Sequence, residues 1–516
     1  MNARMNRRLQ RSSINMLSSA AGYVVPMIIN LIATPLLLRR LGEAAFGLQS
    51  LVTVIIGYLT VMDMGLDLPI IKLLAEDRAK NDVESENRML STTFQLYGAI
   101  GLVGMVVIVL AAEWFARSLF KVPVALIPQA TLVFRLAGIG FLGSVGMSWG
   151  RSLAMGIQRF EISYGVSVVS NLAGVGLGLV MVYTGYGVVG YVVVRVIVSL
   201  ASGPAYWLLA HRLLPTFRVK WGIDRATLRR VSGYVGYGAI NRAVGSLVSR
   251  LDQTLIGVWL GVAAAGVYSV PFMVVTSLGY MMAYMLGFIF PMASELQSLG
   301  EMDRLRDIFT RATRFITALA GMIFVPLFVL GDIVLALWVP SIASQAAGVL
   351  LLLTLAGYLG TLCVSLTNSV VIGMGGMRQF TFYATIRGIV LGAWCLLLIR
   401  PFGLEGAGWA LLLTVIVDGV YLVVALRNYL QLSLLVLFRT AYLKPMALSA
   451  VLGLLVWLAR PLGQSWLGLI ALVGVLELLY VSVGYGIGVF GETEKRAALG
   501  LWQTVTRRLR QPKNCV

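Results

Sequence analysis

The sequence predicts an all-α polytopic membrane protein with about 14 transmembrane helices, and three observations lead to this fold class. The 516-residue chain is 59% hydrophobic and only 12% charged, and its mean hydropathy is +0.87. Apolar runs of about 20 residues recur along the whole chain, without the alternation of membrane β-barrel strands. One decamer also occurs twice, which indicates an internal repeat.

The repeated decamer begins at Leu41 and again at Leu260, and both copies read L-G-x-A-A-x-G-x-x-S. The two starting positions, 41 and 260, define an offset of 219 residues. The same offset relates Glu76 to Glu295, Arg159 to Arg378 and Tyr164 to Tyr383. Each copy would contain six spans, so both copies would enter the membrane in the same direction. The repeat therefore predicts two parallel six-helix bundles, followed by a C-terminal helical hairpin.

The apolar runs place the spans in order along the chain. They are predicted at 13–38, 45–72, 91–112, 129–150, 161–184, 188–210, 233–258, 266–292, 310–330, 345–373, 380–400, 406–427, 444–460 and 466–489. This order predicts an N-terminal bundle at 12–210, a cytoplasmic linker at 211–232, a C-terminal bundle at 233–428, an extra transmembrane hairpin at 443–490 and a basic cytoplasmic tail at 491–516.

Loop charge predicts the orientation of the chain in the membrane. Of the 41 Lys and Arg residues, about 30 lie in segments that are inside if the N-terminus is cytoplasmic, and about 6 lie outside. The positive-inside rule therefore predicts that both termini are cytoplasmic. It also explains the net charge of +19 without a nucleic-acid partner. The basic linker and tail are expected to lie on anionic lipid headgroups.

Polar side chains form a stripe at helical spacing on each of two predicted spans, the first and the seventh. Stripes of this kind avoid lipid and face protein or a water-filled cavity. Arg242 and Arg250 lie on either side of the middle of span 7, about 12 Å apart along the helix. Two guanidinium groups at different depths suit an anion that must cross, because each can bind phosphate bidentately. The predicted cavity residues are Asn30, Arg242, Ser246, Ser249, Arg250 and Gln253.

Three acidic residues are candidates for ion coupling or charge pairing. Asp63 and Asp67 lie one helical turn apart on predicted span 2, where they could bind a cation or a proton. They could equally pair with arginines. Asp252 could neutralise Arg250, so an internal ion pair is the alternative to an anion site.

No pattern in the sequence indicates an enzyme or a bound cofactor. There is no P-loop, no GxSxG and no cluster of metal ligands. His211 is the only histidine, and the three cysteines are too far apart to suggest a disulfide or metal site. The sequence therefore predicts a non-enzyme without a metal or cofactor.

Several motifs resemble the polysaccharide transporter (Wzx-type flippase) branch of the multidrug/oligosaccharidyl-lipid/polysaccharide (MOP) exporter superfamily. They are the first decamer at 41–50, Met-Asp-Met-Gly-Leu at 62–66 with Leu-Ala-Glu at 74–76, Gly-Ile-Gln-Arg-Phe at 156–160, and Pro-Met-Ala-Ser-Glu-Leu at 291–296. Their order and spacing support the resemblance more than any single motif does.

The resemblance implies a V-shaped pair of six-helix bundles around a cationic cavity. It implies that undecaprenyl-pyrophosphate-linked oligosaccharide units are moved from the cytoplasmic to the periplasmic leaflet of the bacterial inner membrane. Such units serve O-antigen, capsule or exopolysaccharide biosynthesis, so a polysaccharide polymerase and a chain-length regulator are implied partners. No motif identifies the sugar.

Two other classes of protein remain as alternatives. A multidrug exporter on the same fold would favour a cavity rich in carboxylates, because its substrates are cations. A membrane glycosyltransferase or polymerase would need a sizeable loop with catalytic groups, and no loop here exceeds about 20 residues.

The predicted topology can be tested with reporter fusions. We expect periplasmic activity from fusions after Glu43, Lys121, Gly331 and Gly463, because few basic residues lie in those loops. We expect cytoplasmic activity from fusions after Arg78, Arg218 and Gln511. A periplasmic signal after Gln511 would show that the number of spans is odd.

Overall fold

A computed structural model describes residues 2–490, apart from Met64, 215–216, 218–219, 233–242 and 287–288. Within these ranges the chain is almost entirely helical and contains no strand, so the all-α prediction is confirmed. Arg242, the side chain of Asp63 and the tail at 491–516 lie outside the described residues.

Sixteen helices are described, labelled here in chain order. They are α1 (Asn2–Leu59), α2 (Asp67–Ala79), α3 (Val83–Trp114), α4 (Ile127–Gly156), α5 (Phe160–Tyr183), α6 (Gly187–Leu213), α7 (Arg225–Ser232), α8 (Leu251–Trp259), α9 (Val262–Met285), α10 (Ile289–Ser298), α11 (Met302–Trp338), α12 (Ala343–Gly373), α13 (Met377–Ala425), α14 (Leu434–Leu437), α15 (Leu443–Leu458) and α16 (Trp466–Gly486). Residues 243–248 are also helical. Short 3₁₀ turns lie at Thr60–Asp63, Val124–Leu126 and Arg460–Gly463, and π turns at Phe115–Leu119, Leu426–Leu430 and Phe438–Tyr442.

The described residues contain 11 helical segments that are long and apolar enough to cross a membrane. Two of these segments turn sharply at a glycine where the sequence predicts a short loop between two spans. Gly42 in α1 has φ 77° and Gly403 in α13 has φ 59°, both in the left-handed region. Glycine adopts this conformation at little steric cost, so one residue is enough to turn the chain. The total of fourteen spans stays a prediction.

The predicted second span, 45–72, is not one helix. Helix α1 ends at Leu59, the 3₁₀ turn Thr60–Asp63 follows, and α2 begins only at Asp67. Between the two elements, Gly65 has a positive φ of 73°, which ends the helical path. Asp63 and Asp67 therefore do not lie one turn apart on a single helix, and the spacing argument that paired them was wrong.

Pro35 lies within α1 and cannot donate the backbone hydrogen bond that would normally reach the carbonyl of Leu31. The indole of Trp338 supplies that bond instead, with its Nε1 3.2 Å from the Leu31 oxygen. An unsatisfied carbonyl in hydrocarbon costs several kcal/mol, so this side chain makes the proline tolerable.

By packing, the chain groups into two compact units. The first unit comprises Met1–Tyr284, Trp338–Leu353 and Met377–Val417; the second comprises Met285–Leu337, Thr354–Gly376 and Asp418–Val516. In the first unit, α4 packs against both α3 and α6, and α5 packs against α1 and α6. This grouping differs from the division into two six-helix bundles, which stays a prediction.

The second unit has its own apolar core, to which α11, α15 and α16 all contribute. A small polar cluster lies within that core. The hydroxyl of Tyr480 donates to the carbonyl of Ala318 over 3.0 Å and lies 3.1 Å from the hydroxyl of Ser449. The extra hairpin is therefore fixed by hydrogen bonds as well as by apolar packing.

The described part of the linker is attached to the polar end of α3. The backbone N–H of Lys220 donates to Ser91, and that of Asp224 donates to Thr92. Trp221 is 85% exposed, which suits the headgroup contact predicted for this segment. The linker thus combines a free aromatic side chain with a fixed backbone.

Helix α7, at the end of the linker, is tied to α2 by one arginine. A guanidinium nitrogen of Arg230 lies 2.8 Å from Asp77 and 3.2 Å from Glu76. The hydrogen bond to Asp77 raises the pKa of Arg230, which keeps the guanidinium charged. The Asp77 side chain is only 3% exposed.

We expect Asp77→Ala to destabilise the protein by about 1–3 kcal/mol, because Arg230 loses its buried charged partner. Glu84→Ala is the matched control, since its partner Arg88 and Glu84 itself are well exposed and such pairs contribute about 0–1 kcal/mol. The measurement is thermal unfolding in detergent. Equal shifts for the two variants would contradict a role for the Arg230–Asp77 pair.

Candidate functional site

One cavity of about 600 Å³ lies within the first compact unit. Residues from α1, α6, α8, α9 and α13 line it. Its charged lining residues are Arg195, Arg250, Asp252 and Arg387. Its polar lining residues are Asn30, Gln49, Ser50, Thr53, Ser249, Gln253, Ser269, Thr276 and Tyr280. Arginine is therefore the main charged residue of the wall, at three positions against one aspartate.

The structure brings most of the sequence-predicted residues into this wall. The predicted residues Asn30, Ser249, Arg250, Asp252 and Gln253 all line the cavity. Two others do not: Ser246 and Asp67 are absent from the lining. The carbonyl of Ser246 accepts the hydroxyl of Ser249, and Asp67 is the first residue of α2.

Arg195 and Arg387, which the sequence places deep within apolar runs as structural or cavity charges, also line the cavity with Arg250. They lie on α6 and α13, far apart in the chain and outside the two polar stripes. Their one signal was an ionisable group deep within an apolar run, which is a functional candidate by default.

The helix that carries Arg250 is interrupted inside the cavity wall. Residues 243–248 are helical, Ser249 and Arg250 form a turn, and α8 begins at Leu251. Arg250 has φ −132°, outside the helical range. The prediction of a straight stripe across span 7 was therefore wrong. Non-helical backbone at membrane depth is tolerated where it lines a polar cavity, which is where this turn lies.

Helix α1 holds this turn in place through two adjacent residues. A Cβ atom at Gly57 would lie 2.2 Å from Nε of Arg250, so the guanidinium group rests directly on the glycine. The hydroxyl of Tyr58 lies 2.5 Å from Oγ1 of Thr254, which itself donates to the carbonyl of Arg250. Gly57 and Tyr58 thereby fix both the side chain and the backbone of Arg250.

Asp252 is bound to groups other than Arg250. Its carboxylate is 2% exposed; it accepts the hydroxyl of Tyr268 over 2.5 Å and the backbone N–H of Gln253 over 2.8 Å. Among the described residues, no carboxylate lies within ion-pair distance of Arg250. The predicted alternative, an Arg250–Asp252 ion pair, is not formed in this structure. A pair with Asp63 stays untested, because that side chain is outside the described residues.

Gln253 supplies an available acceptor in the same wall. Its side chain is only 5% exposed, and its Oε1 has no hydrogen-bond partner among the described residues. A buried amide oxygen without a partner costs free energy unless water or a ligand donates to it. The wall therefore offers guanidinium donors for an anion and an amide acceptor for a hydroxyl group.

The fold is that of the MOP transporters. The chain is similar to the lipid II flippase MurJ in an inward closed conformation, with a TM-score of 0.73 and 12% identity, covering 92% of this chain and 100% of that one. It is also similar to an inward-facing multidrug resistance MATE family transporter of the MOP superfamily, with a TM-score of 0.64 and 16% identity, covering 85% and 98%.

The chain belongs to the polysaccharide biosynthesis protein family, which matches residues 36–342. It is 23% identical to the probable flippase AglR of Haloferax volcanii, over 79% of this chain and 82% of that protein. It is 20% identical to a putative O-antigen transporter of Shigella flexneri, over 78% of this chain and 94% of that protein. The predicted resemblance to polysaccharide transporters is thus confirmed at the level of the polysaccharide biosynthesis protein family.

The contact between Gly57 and Arg250 can be tested by adding one methyl group. We expect Gly57→Ala to displace the Arg250 guanidinium group and to lower the free energy of unfolding by about 1 kcal/mol, because the added methyl group meets a side chain that can move aside. Gly98→Ala is the matched control: it also lies within a helix, and nothing is within 4 Å of its Cβ position. The measurement is thermal unfolding in detergent. Equal stability of the two variants would contradict the contact.

Proposed function

We propose that the protein translocates polyprenyl-pyrophosphate-linked oligosaccharide units across the membrane, with the sugar and pyrophosphate in the cavity. The observation that carries this proposal is the presence of several arginines in the wall, above all Arg250. Arg195, Arg250 and Arg387 line one cavity, while its Asp252 is bound by Tyr268. Guanidinium groups in a partly desolvated site favour phosphate, because they bind it through bidentate, charge-assisted hydrogen bonds.

The size and polarity of the cavity support a head group rather than a whole lipid. A volume of about 600 Å³ lies within the range of about 300–1,000 Å³ typical of small-ligand pockets. It has room for a pyrophosphate with a short sugar chain but not for a long polyprenyl tail as well. The tail would stay in the lipid, where it needs no polar partners, while the hydroxyl groups of the sugar would bind side chains such as Gln253.

The finer details follow from the relatives and the sequence. We infer undecaprenyl pyrophosphate as the carrier and the bacterial inner membrane as the location, with fourteen spans, two parallel bundles and both termini cytoplasmic. The names of the relatives, a flippase and an O-antigen transporter, support a role in surface polysaccharide biosynthesis. A polymerase and a chain-length regulator are the corresponding proposed partners.

Arg242 and the two aspartates of predicted span 2 complete the proposal. Arg242 would provide an anion contact at a second depth, on the cytoplasmic side of Arg250. Asp63 would exchange a proton or bind a cation as the cavity reorients. Asp67, which is not part of the cavity wall, would assist this exchange from the first position of α2.

A cation-coupled multidrug exporter is the second candidate, favoured by the fold similarity to a MATE transporter. The two functions differ in the charge of the ligand. Binding of a lipid-linked sugar pyrophosphate and of a cationic dye such as ethidium to the purified protein would separate them. Tight binding of ethidium alone would favour the exporter.

The test of the proposed function is translocation in vesicles containing the purified protein. The substrate is a labelled disaccharide on undecaprenyl pyrophosphate, and transfer is detected with an impermeant glycosidase. We expect Arg250→Ala to slow translocation at least tenfold, because a charge-assisted hydrogen bond contributes about 1.5–3 kcal/mol and about 1.4 kcal/mol is a factor of ten. Arg250→Lys should recover part of the rate, since the positive charge remains but the bidentate fork is lost.

Two further variants serve as controls. Arg88→Ala removes an arginine that lies outside the cavity and pairs with Glu84, so translocation should not change. Arg250→Ala combined with Asp252→Asn should be no faster than Arg250→Ala, because Asp252 is held by Tyr268 rather than by Arg250. Recovery of transport in the double variant would instead support the structural ion pair.

A further inference from the structure

The two copies of the repeated decamer meet each other in the structure. A Cβ atom at Gly47 would lie 1.9 Å from the carbonyl oxygen of Val262, and one at Gly266 would lie 2.6 Å from the carbonyl oxygen of Glu43. Gly47 and Gly266 differ by the repeat offset, and so do Glu43 and Val262. The contact is therefore reciprocal. In each copy, the second glycine of the decamer approaches the third residue of the other copy. A twofold-related interface has this property.

Neighbouring contacts follow the same pattern. The decamer glycines Gly42 and Gly261 both have positive φ, 77° and 89°, so both copies begin with the same turn. The hydroxyl of Thr34 on predicted span 1 lies 3.8 Å from the sulfur of Met273 on predicted span 8. Predicted span 2 contacts span 7 through Tyr58 and Thr254. A local twofold axis between the repeats would pair the spans in this way.

Glycine is required on both sides of this contact because the neighbours are backbone atoms. The two helices, α1 and α9, approach so closely that Gly47 Cα lies 3.0 Å from the Cβ position of Gly266. Backbone carbonyls cannot rotate away as a flexible side chain can. Small residues allow this close packing of membrane helices, where there is no hydrophobic driving force between them.

The crossing lies at one end of the cavity. Within the first decamer, Phe46, Gln49 and Ser50 line the cavity, and Ser269 of the second decamer does so as well. Gly47 is five residues beyond the turn at Gly42, or about 7.5 Å along the helix. Loop charge places that turn on the predicted periplasmic side. The glycine crossing therefore lies between that turn and the cavity-lining residues Gln49, Ser50 and Thr53 of α1.

We propose that the twin decamers form the periplasmic closure of the cavity, and that they must separate at Gly47 and Gly266 for the cavity to open on that side. The role of this closure in transport rests on the proposed function, but the closure itself can be measured without any substrate. A tight contact between two rigid backbones has few intermediate arrangements, so the closure is either formed or open.

The experiment measures access to a cysteine below the crossing. Ser50 lines the cavity and is 8% exposed. Ser50→Cys is introduced into the full chain with Cys363, Cys395 and Cys515 replaced by alanine. An impermeant maleimide is added from the periplasmic side of spheroplasts. We expect Gly47→Ala and Gly266→Ala each to raise the labelling rate about tenfold, because an added methyl group forces the backbones apart.

Gly279→Ala on α9 is the matched control, since nothing lies within 4 Å of its Cβ position, and it should leave labelling unchanged. Equal labelling in the Gly266→Ala and Gly279→Ala variants would overturn the proposal. If the glycine variants do not accumulate, two single-cysteine variants that keep both decamer glycines are compared instead. Glu43→Cys, above the crossing, should be labelled much faster than Ser50→Cys, and equal rates would overturn the closure. Normal labelling with failed sugar translocation would instead count against the proposed function alone.

Discussion

A polar group inside hydrocarbon must find its partner within the protein, because no bulk water is available there. Much of the structure follows from this constraint. Pro35 in α1 is tolerated because Trp338 donates a hydrogen bond to the carbonyl of Leu31. The aspartate in the cavity wall is tolerated because Tyr268 and a backbone N–H bind it. Helix α1 supports the turn at Arg250, so the arginine stays at the cavity.

Two other polar groups of the cavity wall remain available. The guanidinium of Arg250 rests on Gly57 and has no carboxylate partner among the described residues. Oε1 of Gln253 accepts no hydrogen bond from the described residues. Both groups belong to residues that line the same cavity, so one ligand could reach both of them. Buried polar groups left available in one cavity are typical of a binding site, where the ligand completes the hydrogen bonds.

Much of the fold was predictable from the sequence, because hydrocarbon requires long apolar helices and polar stripes mark the sides that avoid lipid. Asn30, Ser249, Arg250 and Gln253 were found in this way. Periodicity assumes a straight helix, however, so it missed the turn at Arg250 and the break before Asp67. The partner of Asp252 and the gathering of Arg195 and Arg387 depend on contacts between distant segments. A single sequence contains no measure of those contacts.

The bond between Trp338 and Leu31 also has a consequence for biosynthesis. Its two residues are 307 positions apart in the chain. At about 5–20 residues per second, the ribosome takes roughly 15–60 seconds to make the intervening segment. The first helix therefore enters the bilayer with a carbonyl that its own sequence cannot satisfy. We expect the insertion machinery or a water molecule to donate a hydrogen bond to that carbonyl during this interval.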